Sequence, residues 1–395
     1  MRRGVAQLIC ASGAVLFLAG TPLCAPTGPD AAGESRAELP LLPDFEAGSP
    51  AVPALAAPAP DSVSAALTSG SEAVLSACWS RQALAGSTGD RIIYRGRHPW
   101  VPPPPALFVQ AAKERLAPLP PELRGSIRYV VATSKSARLV ALTFDLCETG
   151  WDIAGYDAGI VNYLRAHRIP ATFFAGGKWM ATHSDKAKQL RADPLFEVGN
   201  HTWTHRNLYL ASAEEARDQI LWTQAEYVKL RDELTRSPCA AAAGPAAVAA
   251  IPPVPRVFRF PYGVCGAASL GAVASAGLAA IQWSIVTGDP APHQGARSIA
   301  AAVLRGVRPG RGSIIVAHAN GRGWHTAEAL PLFVPELLRR GYRFVTVSEL
   351  LASGRPVSVG QCYELRPGDN VRYNIRPRER MPPRQPAYPR QQVFH

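Results

Sequence analysis

Between Arg138 and Leu351 short apolar runs alternate with amphipathic segments, and this alternation restricts the fold more than any other feature of the chain. The runs are Leu139–Leu146, Ala171–Ala175, Phe196–Asn200, Val257–Tyr262, Ala279–Ile285, Ser313–His318 and Arg343–Ser348. Most are rich in Val, Ile or Phe and several are nearly continuous, as parallel strands covered on both faces require. Helical patterns lie between them at Asp157–His167, Ala213–Arg236, Ala267–Ala276, Arg297–Val307 and Thr326–Arg340. The longest opens on Ser212 with Glu215 three places on, the spacing of a capping box. About seven strands with helices between most of them predict an α/β fold, either a barrel or a doubly wound sheet. The stretch from Ala240 to Pro255 is almost all Ala, Pro and Gly and reads as a surface excursion, with Cys239 at its edge either a bystander or a staple.

The chain has 395 residues, so a domain at 138–355 leaves long flanks. Met1 to Ala25 has a basic start at Arg2 and Arg3, an apolar centre and a small-residue end, the layout of a cleaved signal peptide. It predicts export to the periplasm or beyond, with membrane anchoring if the segment stays uncleaved. Residues 26–77, mostly Ala, Pro, Ser and Gly, bury too little apolar surface to offset ordering entropy and read as a disordered tether. Residues 78–137 read as an extension packed on the main domain, with a helix from Ala106 to Leu116. Residues 356–395 read as an irregular basic tail carrying seven arginines after Glu364, suited to attraction by an anionic envelope polymer. The formal charge of +12 comes mostly from scattered arginines with no aromatic-basic stripe, which argues against nucleic acid as a partner. Oligomeric state is not legible in the sequence. Losing Cys10 and Cys24 with the signal would leave Cys78, Cys147, Cys239, Cys265 and Cys362, an odd number, so at least one thiol lacks an intramolecular partner.

In a parallel α/β fold the site lies at the carboxyl ends of the strands. There the sequence places Asp145, Cys147 and Glu148 after the first run, His201 and His205 after the third and Arg259 in the fourth. Asp289 follows the fifth and His318 ends the sixth. HTWTH spaces two imidazoles four apart, which suits a metal when an oxygen donor faces them, and lacks the Glu of the HExxH protease helix. Asp145 and His318 are then candidates for base and acid, with Arg259 keeping the Asp ionised and Asp289 setting the histidine's tautomer. The bland alternative is a buried Arg259–Asp289 pair.

The motifs TFDLCE, HTWTH, RFPYG, WSIVTGDP, IVAH and GYRFVTVSEL, in that order over about residues 138–351, resemble the polysaccharide deacetylase family, the carbohydrate esterase family 4-like group that shares the NodB homology domain. The resemblance implies a distorted (β/α) barrel of about seven parallel strands. It implies a divalent-metal hydrolase, with Zn or Co as the ion, that removes N-acetyl groups from an amino-sugar polymer and releases acetate. By the same resemblance Asp145 is the base, His318 the acid, Arg259 and Asp289 their partners, and His201 and His205 metal ligands. Tyr262, beside Pro261, occupies the place of the residue whose backbone N–H stabilises the oxyanion.

Departures from the family pattern matter. The second Asp of TFDDGP is Leu146 here, so either Glu148 supplies the missing ligand or the ion keeps two histidines and extra water. Val286 and Pro290 replace an Asp and a Trp of the DxxDW-like segment. Cys147 and Cys265, just past two strand-end motifs, are expected as a disulfide across the cleft, with a thiolate metal ligand at Cys147 as the alternative. Leu146 also motivates a second reading, a metal-free glycan-binding pseudoenzyme on the same barrel.

Overall fold

The computed structural model describes residues 72–96, 100–115 and 117–374. The signal peptide, most of the tether and residues 375–395 of the tail lie outside them. Ten strands form one sheet: β1 Ser126–Ala132, β2 Leu139–Leu146, β3 Ala171–Ala175, β4 Phe196–Asn200 and β5 Val257–Phe258, then β6 Ala279–Ile281, β7 Ile285–Val286, β8 Arg311–His318, β9 Arg343–Val345 and β10 Gly354–Val359.

Seven of them close a ring in the order β2-β3-β4-β5-β6-β1-β8, with β8 returning to pair with β2. All neighbours in the ring are parallel except β1 and β8. The expected barrel of mostly parallel strands is therefore the fold. β2 is buried at every residue, which explains its nearly continuous apolar run: strand neighbours and helices leave it no wet face. Phe144 stacks on Phe173 at 5.3 Å, and Phe173 meets Phe196 edge-on at 5.1 Å, tying β2, β3 and β4 into one cluster.

Local signals place the helices closely. Ala158–Ala166 is capped by the Asp157 side chain, and Ala213–Thr235 by Ser212, which accepts from the Glu215 amide. Glu215 does not complete the expected box, because Arg206 holds its carboxylate at 2.6 Å.

The flanks are better ordered than their composition suggests. Residues 72–77, assigned to the tether, are helical, and Val74 is fully buried beside Ala240, Ala247 and Ile251. The Ala-rich excursion itself forms two short helices, Pro238–Ala243 and Pro245–Ala249, and Cys78–Cys239 staples them to the N-terminal segment. Within the expected extension, the helix Ala106–Glu114 packs through Ala112 on Ala225 and Val228 of the long helix, but β1 is a member of the ring itself. The expected irregular tail begins as β10, paired antiparallel with β1. Beyond it residues 360–374 cross to the barrel mouth, where Cys362 bonds Cys265.

Candidate active site

Strand register brings the acid and base candidates together. His318 on β8 is the direct partner of Asp145 on the adjoining β2. Arg259 follows β5 and is wholly buried, and its Nη1 donates to Asp145 Oδ1 at 2.8 Å. The guanidinium lies over the Phe174 ring at 4.1 Å, which gives the cation a face in an otherwise dry place. Burial is the largest influence on the Asp145 carboxyl and acts to raise its pKa, but Arg259, His201 and His318 outweigh it and hold the group below the usual carboxylate range.

Asp289 serves His318 and does not pair with Arg259, so the bland buried-pair alternative is not what the fold builds. Its Oδ1 lies 3.0 Å from His318 Nδ1, and its Oδ2 accepts the His318 amide at 2.7 Å. Thr287 and Thr326 hydroxyls donate to the same carboxylate at 3.0 and 2.7 Å, so the aspartate cannot swing away. Gly323 permits this crowding: a Cβ there would sit 2.2 Å from the His318 carbonyl and 2.9 Å from Asp289 Oδ2. Burial again is the largest influence on His318 and lowers its pKa, yet the Asp289 charge and hydrogen bond, helped by Asp145, leave it raised. A carboxylate held ionised and an imidazole shifted toward its protonated form thus face each other across one strand pair.

The HTWTH loop turns His201 and His205 toward this pair. Asn200 is fully buried, donates to Ile220 O and Gln224 Oε1, and accepts the Thr202 amide, locking the turn. Thr202 and His205 adopt positive φ of 65° and 54° to fold the loop back. His201 Nδ1–H donates to the Arg259 carbonyl at 2.8 Å, which leaves Nε2 as its lone-pair nitrogen, and that buried atom has no hydrogen-bond partner. Burial lowers both histidine pKa values, His205 well below the ordinary value with His201 adding to the effect, so both are neutral and free to donate a lone pair. The ligand-type atoms of Cys147, His201 and His205 all lie within 4.8 Å of one another. Two imidazole nitrogens and a sulfur at that separation fit a divalent ion.

Two expectations fail here. Glu148 does not reach the histidines: it is fully buried facing Lys178 Nζ at 3.0 Å, and it accepts from the Thr182 hydroxyl and the Ala154 amide. Two places past Leu146 the chain has already turned toward the helix Gly177–Thr182, and a carboxylate there needs that ammonium. Cys147 does not pair with Cys265. The strap at 360–374 brings Cys362 to Cys265, while Cys147 points inward, buried and unoxidised.

Pro261 is buried and starts the turn that carries Tyr262, whose φ of 60° thrusts it toward the cleft. The Tyr262 ring lies 4.5 Å from His205 on one side and stacks on Tyr373 at 5.5 Å on the other. Together Asp145, His205, Tyr262, Asp289 and His318 line a cleft of 490 Å³, whose outer wall comes from Trp283 and the strap residues Glu364, Arg372 and Tyr373. Val286 and Pro290, the two departures, line it as well. A larger cavity of 1110 Å³ between Leu119, Ile220 and Ala276 contains none of these groups. The strap wall, Thr287, Thr326 and Asn320 were not legible as site residues. Only Cys362, as a cysteine needing a partner, could have pointed to the strap.

A mostly parallel barrel that gathers an ion-paired aspartate, a carboxylate-backed histidine and a converging imidazole pair at one mouth is the kind of arrangement hydrolases use. Comparison with known proteins agrees. Residues 132–247 match the family model described as polysaccharide deacetylase. The chain is 31% identical over 204 residues to a chitooligosaccharide deacetylase of Bradyrhizobium sp., covering 48% of this chain and 82% of that protein. It is 30% identical over 217 residues to a peptidoglycan-N-acetylglucosamine deacetylase of Bacillus cereus, covering 54% and 88%. It is 27% identical over 277 residues to the peptidoglycan-N-acetylglucosamine deacetylase PgdA of Listeria monocytogenes, covering 70% of this chain and about half, 52%, of that one. The chain belongs to the polysaccharide deacetylase family, and it is an enzyme of that class.

Proposed function

We propose that the protein is a metal-dependent deacetylase that hydrolyses N-acetyl groups of an amino-sugar polymer, either peptidoglycan or a chitin-like glycan. The observation that carries this reading is the register pairing of Asp145 with His318, the carboxyl shifted toward its ionised form and the imidazole toward its protonated form. The names of the relatives support the substrate class, since they act on chitooligosaccharide or on peptidoglycan N-acetylglucosamine.

His201, His205 and Cys147 would hold the ion, with zinc or cobalt suited to such donors. When bound, the ion supplies Lewis-acid polarisation of the amide carbonyl and lowers the pKa of water. Asp145, kept ionised by Arg259, takes a proton from water as the water oxygen bonds the carbonyl carbon. The C–N bond then breaks as His318 gives its Nε2 proton to the departing nitrogen, yielding acetate and an amine. Asp289 keeps the Nδ1 side of that ring occupied, so the proton that moves is the one facing the cleft. The Tyr262 turn borders the cleft, and a backbone N–H there would stabilise the oxygen that gains charge.

Leu146, the ground for a metal-free glycan-binding reading, is fully buried in the core, and the residue after it offers the donor instead. Work outside the cytoplasm is part of the proposal, and the Cys78–Cys239 and Cys265–Cys362 disulfides support it. The test is acetate release from N-acetylglucosamine oligomers and from peptidoglycan by the metal-reconstituted protein, with Asp145→Asn as control. Release that Asp145→Asn abolishes is expected; none from either glycan refutes the proposal.

A further inference from the structure

The aspartate that the family motif places after the catalytic base is missing here, and the structure shows what stands in its place. Leu146 is fully buried among apolar side chains and Glu148 is engaged by Lys178. Asp152 is taken by Arg322 and by the amide and hydroxyl of Thr149. Asp145 belongs to Arg259. Asp145 Oδ2 lies 3.6 Å from His201 Nε2, but among the described residues the donor that clusters with both histidines within 4.8 Å is the Cys147 sulfur. Cys147 has 4% of its surface exposed, and it is the sole described cysteine outside a disulfide. It is also gripped. Asn320, fully buried just past the end of β8, donates through Nδ2 to the Cys147 carbonyl at 2.8 Å and to Sγ at 3.1 Å. An amide donor aimed at sulfur fixes the rotamer, and His201 Nε2, buried and without a hydrogen bond, lies in the same cluster of donor atoms.

We infer that Cys147 is the third protein ligand of the metal ion, bound as thiolate and oriented by Asn320, so that this enzyme has a Cys/His/His centre for a thiophilic divalent ion. The inference takes from the proposed hydrolase only the existence of an ion at the histidine pair. On binding, the S–H proton leaves to solvent as the sulfur–metal bond forms, with no change of oxidation state. Zinc and cobalt accept such a donor set; magnesium and calcium, which want oxygen, do not. Asn320 acts through the sulfur and is a positioning residue.

The experiment is a cobalt(II) titration of the metal-stripped, full-length protein, read by absorbance and by binding stoichiometry. One equivalent should bind with a near-ultraviolet sulfur-to-cobalt charge-transfer band. Cys147→Ser should lose that band, and Cys147→Asp should bind cobalt without it. Asn320→Ala should keep the band at a shifted energy while affinity falls about 10–100-fold. Iodoacetamide should label Cys147 faster in the stripped protein than in the cobalt form. Cobalt binding to the wild type with no charge-transfer band, or an unchanged spectrum in Cys147→Ser, overturns the inference. A band present in a protein that releases no acetate would instead sink the hydrolase proposal and leave the ligand assignment standing.

Discussion

Replacing Arg259 with Met isolates the energetics of the base. The guanidinium is wholly buried, holds Asp145 at 2.8 Å and lies over Phe174. Its other two hydrogen bonds, to Ile281 O and Gln282 O, are long at 3.4 Å and contribute little. Breaking a buried pair by removing one partner costs about 3–5 kcal/mol, mainly from the stranded charge. That cost depends on pH. In the wild type the Asp145 pKa lies below its ordinary value, so the pair adds stability above the ordinary carboxylate range and loses it as pH falls through the lower folded value. Without Arg259, burial, the largest influence on Asp145, acts against only His201 and His318, and the folded-state pKa rises. The variant's deficit should therefore be largest where Asp145 would be ionised, and should shrink toward acid, where the carboxyl is neutral in both proteins.

Urea unfolding of the metal-stripped proteins at several pH values measures this, and Arg259→Met/Asp145→Asn should recover most of the deficit at neutral pH. A deficit below about 1 kcal/mol, or one of several kcal/mol that stays flat with pH, would mean that Arg259 fills space and does not hold a charge.

Other consequences follow from named contacts. Asp289→Asn removes the charge that raises the His318 pKa, so the alkaline limb of kcat/KM should move to lower pH while the acid limb stays; an unmoved alkaline limb would show that His318 is not the acid. Replacing both Cys265 and Cys362 with Ser opens a crosslink spanning 97 residues, for which chain entropy sets a ceiling of about 4.7 kcal/mol. Thermal unfolding should show a loss of roughly 2–4 kcal/mol, and KM for glycan oligomers should rise more than kcat falls, because the strap forms one cleft wall; an unchanged KM would place substrate elsewhere. Gly323→Ala should cost about 1–3 kcal/mol by overpacking and lower kcat, since the added carbon would displace the His318 carbonyl or the Asp289 carboxylate; wild-type kcat would refute that the three are in tight register.

The fold was readable because β2, β3 and β4 declare themselves by mainly apolar runs whose ends coincide with the observed strands. The runs after them were read too long. RFPYG leaves the ladder after Phe258 and passes into the turn Pro261–Gly263, and the segment Ala279–Ile285 bends at Gln282, pairing first with β1 and then, as β7, with β8. The flanks were misjudged for a different reason. Low-complexity Ala and Pro bury little alone, but Cys78–Cys239 supplies a tether that composition does not display, and Val74 then gains a pocket among Ala240, Ala247 and Ile251. β10 has alternating, half-buried residues and a proline, features that on a sequence read as loop and that an edge position beside β1 accommodates.

Within the site, groups that carry charge at strand ends were legible, because burying Asp145, Arg259 or Asp289 demands a partner and the order of motifs supplies it. Glu148 was misassigned by the same logic applied too locally: a carboxylate near two histidines is a ligand only if no cation reaches it first, and Lys178, thirty residues away in sequence, does. The position of the donor could not be read from a residue-by-residue correspondence. With an apolar Leu at 146 the hydrophobic core claims that side chain, and the strand runs to its end there. The next side chain, Cys147, clusters with His201 and His205, held by an asparagine from the end of another strand. What sets the ligand is thus which way each side of the strand end faces, and a core residue on one side fixes the chemistry of its neighbour on the other.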